Sequence, residues 1–156
     1  MVESESRELL FDCMTPIEIR LLTDNDTDAW WKLRLEALER DPEAFSSSVE
    51  DHLKLSRDEI RRRLTADPAK NFVLGVFAKG KLLGTAGFVR ETQPKSRHKG
   101  RIRGVYLNAE LRGRGNGRRL VLAVLDRARK IEGVEPRALK IGRHYIDEEY
   151  MTLRVR

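Results

Sequence analysis

One stretch of the sequence joins a strand pattern, a glycine-rich loop and a helix pattern. "RIRGVYLN" is predicted to be a strand, in which Gly104 indicates a bulge or a close backbone approach. Residues 112–119 then hold three glycines and four arginines. Helical spacing follows in Leu120, Val121, Val124, Leu125, Ala128 and Ile131. A loop of this kind bares N–H groups at the positive end of a helix dipole, so it predicts a phosphate site.

The remaining patterns predict the order β-α-α-β-β-β-α-β-β. "TPIEIRLLT" alternates as a strand does, and two amphipathic segments that end near Asp41-Pro42 and Asp67-Pro68 predict helices. Two apolar runs joined at Lys79-Gly80-Lys81 predict a hairpin whose strands are covered on both faces. "RALKIG" and "EYMTLRVR" predict two last strands around a turn at residues 144–147. The fold class is α/β (or α+β), with a mixed central sheet and flanking helices.

Length and charge limit the kind of protein further. The 156 residues suit one domain, predicted at 15–156 after a disordered leader at 1–14. Of the net charge of +6, the excess lies between Pro94 and Arg119, where nine basic side chains accompany one acidic one. This indicates an anionic partner. The single cysteine, Cys13, and the lack of a long apolar run predict a cytoplasmic protein without a membrane segment or a multi-cysteine metal site.

Three phosphate-loop motifs could apply to the glycines. The pattern Gly-x-x-x-x-Gly-Lys-Ser/Thr does not occur, and Gly-x-Gly-x-x-Gly fails because the required third glycine is Arg118 or Leu120. Arg-x-x-Gly-x-Gly fits at Arg112 to Gly117. This loop resembles the acyl-CoA diphosphate loop of the GNAT superfamily of N-acetyltransferases. The resemblance extends over roughly residues 15–155, including the first strand, "DPEAF", the hairpin and the ending from Val134.

The resemblance implies transfer of an acetyl group from acetyl-CoA to a primary amine of a small molecule or a protein, by direct attack and without a metal. The residues it assigns to cofactor binding are Val105, Tyr106, Leu107, Arg112, Gly113, Arg114, Gly115, Asn116, Gly117 and Arg118. An amine with a pKa near 10 is only about one part in a thousand neutral at pH 7, so a base is expected. Glu91, at the end of "FVRE", is the predicted base.

One departure from the family concerns the C-terminal half. A strand, a helix and a further strand of the family are missing between the glycine-loop helix and Val134-Glu135-Pro136. The family's thiolate-protonating tyrosine therefore has no counterpart. Either "RALKIG" takes the vacant place beside the strand that precedes the loop, or that edge stays open and a second copy covers it as a homodimer.

Other interpretations remain open at this stage. The chain could be a catalytically impaired relative that still binds CoA, or a basic nucleic-acid module, although only Tyr106 interleaves an aromatic ring with the basic residues. Trp30 and Trp31 are predicted core residues, and His52 a surface residue. Carboxylates between Asp41 and Asp58 favour a cationic amine as the acceptor.

Overall fold

The computed structural model describes residues 16–65, 67–135, 138–141 and 144–145. The predicted leader, Cys13 and the strand predicted at "EYMTLRVR" lie outside these residues. The strands are β1 (Ile17–Leu21), β2 (Asn71–Ala78), β3 (Lys81–Arg90), β4 (Gly100–Leu107), β5 (Leu139–Ile141) and β6 (His144–Tyr145). The α-helices are α1 (Thr27–Arg40), α2 (Val49–Leu53), α3 (Arg57–Leu64) and α4 (Asn116–Arg129).

The six strands form one mixed sheet in the order β1-β2-β3-β4-β5-β6. Neighbouring strands from β1 to β4 are antiparallel, and β5 pairs with β4 in parallel. This pairing joins Leu139–Ile141 to the first three residues of β4, Gly100–Ile102. The segment "RALKIG" therefore supplies the strand beside β4, which confirms the first of the two arrangements predicted for the shortened chain.

Two features of β2–β4 follow from their glycines. Lys79 and Gly80 both have positive φ, 51° and 75°, which suits the two-residue turn of a hairpin. Gly104 has φ 61°, and the register of β3 against β4 shifts opposite it, between Thr85 and Gly87. The predicted bulge in β4 is thus confirmed, and it turns the second half of the strand relative to the first.

The sheet is covered on both faces, as the apolar runs of the hairpin predict. On one face α4 packs Leu120, Val124 and Leu125 against alternate residues of β2, β3 and β4. On the other face α1 and α3 contribute Trp30, Leu33 and Ile60, which contact Phe77, Leu82 and Tyr106. Trp30 is a core residue, as expected, and Trp31 is partly buried beside it.

The region between α1 and β2 differs from the prediction. The second predicted helix is two helices, because Ser56 accepts a hydrogen bond from the Glu59 N–H and so starts α3 after a break. The break reverses the expected burial: Leu53 is 56% exposed, whereas His52 is only 2% exposed. The prediction of His52 as a surface residue is wrong, because its ring stacks on Trp31 and its Nε2 bonds the Trp31 carbonyl at 3.0 Å.

The chain after α4 differs at one further point. His144 and Tyr145, predicted in a turn, form β6 and pair with Ile141 and Lys140. Tyrosine and isoleucine favour strands, so the short pairing is consistent with local preference.

Candidate functional site

The glycine-rich loop leaves β4 through a short 3-10 turn at Ala109–Leu111. The side chain of Asn108 begins this turn by accepting a hydrogen bond from the Glu110 N–H at 2.9 Å. Gly113 and Gly115 then take φ of 77° and 78°, in the left-handed region that favours glycine. Gly115 is the N-cap of α4, so the loop ends where the helix dipole is positive.

The start of α4 carries backbone N–H groups without protein partners. In the part of the chain that the structure describes, no acceptor bonds the N–H of Gly113, Gly115, Asn116, Gly117 or Arg118. A Cβ built on Gly113 or Gly115 would meet no atom within 4 Å, so open space faces both residues. Diphosphate oxygens accept N–H bonds from just such a cradle. The residues present therefore fit a diphosphate.

Arg112 holds the loop through its side chain. Its Nε donates to the Leu107 carbonyl at 2.7 Å, and its Nη2 donates to Asp41 at 2.9 Å. The guanidinium also lies 5.4 Å from the centre of the Tyr106 ring. These contacts join the loop to the end of α1. No local pattern identifies Asp41 as the partner of Arg112, because the two lie 71 residues apart.

The side chain of Asn116 also stabilises the loop. The side chain is buried, and its Nδ2 donates to the Leu111 carbonyl at 3.1 Å. The cofactor role predicted for Asn116 therefore rests on its backbone N–H. Arg114, Arg118 and Arg119 are exposed around the same helix start.

A cleft of about 440 Å³ opens on the side of the loop that faces the β2–β3 turn. Lys79, Lys81, Arg114 and Arg119 line it, and Glu110 is the one acidic residue in its described lining. Of the nine basic residues predicted to concentrate between Pro94 and Arg119, only those of the loop and the start of α4 lie here, and the others precede β4 or belong to it. Lys79 and Lys81 of the β2–β3 turn add positive charge beside the loop, which favours an anion.

The second half of β4 leads from the sheet to this loop. β5 pairs with the first three residues of β4, and no described strand pairs with the β5-side edge of β4 from Arg103 to Leu107. Val105 is half-buried, whereas Tyr106 and Leu107 are buried. The predicted strand residues and the predicted loop thus follow one another along the same segment.

Glu91 lies at the other end of the strand pair. Its N–H donates to the Lys99 carbonyl at 3.1 Å, and its carboxylate is 3.7 Å from Arg101. Lys99, the backbone partner of Glu91, comes six residues before Val105, so the two are about 20 Å apart at roughly 3.3 Å per strand residue. The structure does not place Glu91 beside the glycine loop.

A second carboxylate, which the sequence did not indicate, lies near the loop. Glu36 of α1 accepts a hydrogen bond from Asn108 Nδ2 at 2.9 Å. Burial, followed by the neighbouring charge of Glu36, raises the pKa of Tyr106. From the sequence, helical periodicity places Glu36 on the polar side of α1 and predicts nothing more. Its hydrogen-bond partner, Asn108, lies at a strand end more than sixty residues away, so no local pattern could reveal the contact.

Among the described residues, no helix is both long and apolar enough to cross a membrane. No group of three or more histidine, cysteine or acidic side chains in that part of the chain is arranged to hold a metal ion.

Comparison with known families gives one match. The chain matches the model of the Acetyltransferase (GNAT) family over residues 28–144. None of the curated proteins compared with the chain matches it.

Several solved structures have a similar fold. An acetyltransferase of the GNAT family from Streptococcus pneumoniae is 20% identical, with a TM-score of 0.69 over 81% of this chain and 73% of that one. PaiA N-acetyltransferase from Thermoplasma acidophilum, in complex with coenzyme A, is 21% identical, with a TM-score of 0.61 over 74% and 73%. The yncA protein from Salmonella typhimurium, with its cofactor acetyl-CoA, is 22% identical, with a TM-score of 0.62 over 75% and 65%.

Proposed function

Because the chain belongs to the GNAT family of acetyltransferases, we propose that it moves an acetyl group from acetyl-CoA to a primary amine. The observation that carries this proposal is the set of unbonded N–H groups at the start of α4, those of Gly113, Gly115, Asn116, Gly117 and Arg118. Those groups would bind the diphosphate of acetyl-CoA. Arg114, Arg118 and Arg119 would add charge around it.

The edge of β4 from Arg103 to Leu107, which no described strand pairs with, would give the rest of the cofactor a place to bind. An extended arm leaving the diphosphate would run from Leu107 towards Gly104, up to the point where β5 pairs with β4. The thioester would then lie near the bulge at Gly104. Backbone N–H groups around Val105 would donate to its carbonyl oxygen as negative charge develops there.

The proposed reaction is direct transfer. The amine nitrogen forms a bond to the acetyl carbon, the carbon–sulfur bond breaks, and the sulfur leaves as the CoA thiolate. The nitrogen loses a proton, and the thiolate takes one up to give free CoA. The protein's part is to align the two reactants and to take the amine proton.

Glu91 remains the residue that we propose as the base. It lies about five strand residues from Gly104, or roughly 16 Å, so a proton from an amine at Gly104 would have to reach it along a chain of several waters.

Turnover measurements test both the activity and the base. Wild-type protein should release free CoA thiol from acetyl-CoA in the presence of an accepted amine. Glu91→Gln should lower kcat about a hundredfold without changing the KM for acetyl-CoA, because it removes proton transfer alone. Glu36→Gln is the matched variant, since Glu36 is a carboxylate close to β4 that already bonds Asn108.

The outcomes separate the alternatives. A large kcat loss in Glu36→Gln and none in Glu91→Gln would reject Glu91 as the base. Stabilisation of the protein by CoA without any turnover over a broad amine panel would support the impaired relative instead. Failure of CoA to bind, together with salt-dependent binding of oligonucleotides, would support the nucleic-acid module.

A further inference from the structure

Three arginines gather on the helical side of β4, beside the bulge. Arg34 of α1 is partly buried, and its Nη1 would lie 3.1 Å from a Cβ built on Gly104. Its guanidinium also lies 4.4 Å from the centre of the Phe45 ring. Arg63 of α3 and Arg103 of β4 are close enough that their charges, after burial, lower the pKa of Arg34.

No acid neutralises this cluster within the described residues. The side chains of Arg34, Arg63 and Arg103 form no hydrogen bond or ion pair there. Other arginines of these helices do have such partners: Arg61 contacts Asp58, and Arg40 contacts Glu36. Arg34 is partly buried, so the lack of a counter-ion for it among the described residues is costly, whereas Arg63 and Arg103 are exposed and can turn towards a ligand. An anionic ligand would supply the missing charge.

Three of the five carboxylates between Asp41 and Asp58, which favoured a cationic acceptor, bond within the protein. Asp41 bonds Arg112, and Asp51 bonds the N–H of Ser48 at the start of α2. Asp58 contacts Arg61 on its own helix. The other two are not among the side chains that the structure places beside Gly104, where Arg34 lies closest.

From this arrangement we infer that the acceptor amine also carries a carboxylate, as a free amino acid does, and that Arg34, Arg63 and Arg103 bind it beside Gly104. The inference rests on the proposed acetyl transfer, because it places the acceptor where the thioester would lie. A guanidinium binds a carboxylate through two parallel hydrogen bonds, which would also orient the amine. Nearby positive charge disfavours the ammonium form, so the same cluster would ease loss of the amine proton.

The test is a set of paired acceptors. The twenty amino acids and their carboxamides are compared as substrates by release of CoA thiol, and phosphoethanolamine is included as a phosphate-bearing amine. At least one amino acid should exceed its carboxamide by tenfold or more in kcat/KM. Equal or better use of the carboxamides, or a preference for phosphoethanolamine, would overturn the inference.

Substitutions of the arginines test whether the cluster causes the preference for amino acids over carboxamides. Arg34→Gln should raise the KM for the amino acid about tenfold and remove the preference over its carboxamide, with the KM for acetyl-CoA unchanged. Because Arg34 is partly buried and its loss could affect folding, the exposed Arg103→Gln provides a second variant with the same expected direction. Arg61→Gln, on the same helix as Arg63 but paired with Asp58, is the control and should keep the preference. Equal effects on acids and carboxamides in both Arg34→Gln and Arg103→Gln would contradict the assignment.

Binding separates this inference from the proposed function. If CoA does not stabilise the wild-type protein, the proposed function fails. If CoA binds and only amines without a carboxylate are acetylated, the inference alone fails. If CoA binds but no amine reacts, binding of the inferred products is measured instead, by titration calorimetry of N-acetyl amino acids in the presence of CoA. If no heat of binding is found, the inference is overturned.

Discussion

At the scale of single residues, the predicted site residues divide into those that face open space and those that hold the loop. Gly113 and Gly115 leave room in front of unbonded N–H groups. Arg112 and Asn116 instead bond protein carbonyls through their side chains. The motif predicts the identities of these residues, but the direction of each side chain depends on partners such as Asp41 and Leu111, which no local pattern reveals.

His52 gives a prediction for pH dependence. Burial first, and then the charges of Arg34 and Arg63, lower its pKa, although the Trp31 carbonyl opposes them. That carbonyl only accepts, so Nε2 carries the proton of the neutral ring. The unfolded chain therefore binds a proton at higher pH than the folded one, and the free energy of unfolding should fall as pH drops below about 6.5.

Urea unfolding at pH 7.5 and pH 5.5 measures this effect. The wild type should lose more stability between these pH values than His52→Gln, in which the titrating ring is gone. His98→Gln is the control and should behave as the wild type does. An equal loss in the wild type and in His52→Gln would show that His52 does not cause the pH dependence.

At the scale of elements, the alternation and the helical spacing predicted most of the sheet and the glycine-loop helix. Those signals are local, and β2, β3, β4 and α4 have long, regular patterns. The break between α2 and α3 was missed because Ser56 and Glu59 cap a helix within a segment that is polar throughout. The sequence left two arrangements open for β5. It could not decide between them, because the strand with which a short segment pairs depends on which edges of the folded sheet are free.

The junction of β4 and β5 depends on Gly100. A Cβ at this position would overlap the ring of Phe88 and approach Leu139 at 3.2 Å. Since both neighbours are buried in the core, Gly100→Ala should lower the free energy of unfolding by about 1–3 kcal/mol. Chemical denaturation measures the change.

Gly87→Ala is the matched control for this substitution. Gly87 lies in the adjacent strand, and a Cβ there would come no closer than 3.4 Å to another atom, the Arg103 carbonyl oxygen. This variant should change the stability much less. An equal loss in the two variants would mean that space at the β4–β5 junction is not the reason for glycine at position 100.

At the scale of the whole molecule, basic side chains and the strand edge that no described strand pairs with lie at the same end of β4. The cleft beside the β2–β3 turn and the exposed arginines at the start of α4 surround the proposed diphosphate site. The arginine cluster of α1, α3 and β4 lies at the bulge, where the acceptor would enter. The sequence located the first of these charged regions because its residues are contiguous, whereas Arg34, Arg63 and Arg103 come together only in the folded chain.

The most direct measurement is the affinity for CoA of two glycine variants, determined by titration calorimetry. Gly115→Val places a β-branched side chain at a positive φ in front of the unbonded N–H groups, whereas Gly133→Val imposes the same backbone conflict beyond the other end of α4. We predict that Gly115→Val weakens CoA binding at least tenfold and that Gly133→Val changes it by less than about twofold. Unchanged affinity in Gly115→Val, or equal weakening in both variants, would contradict the diphosphate site at the start of α4.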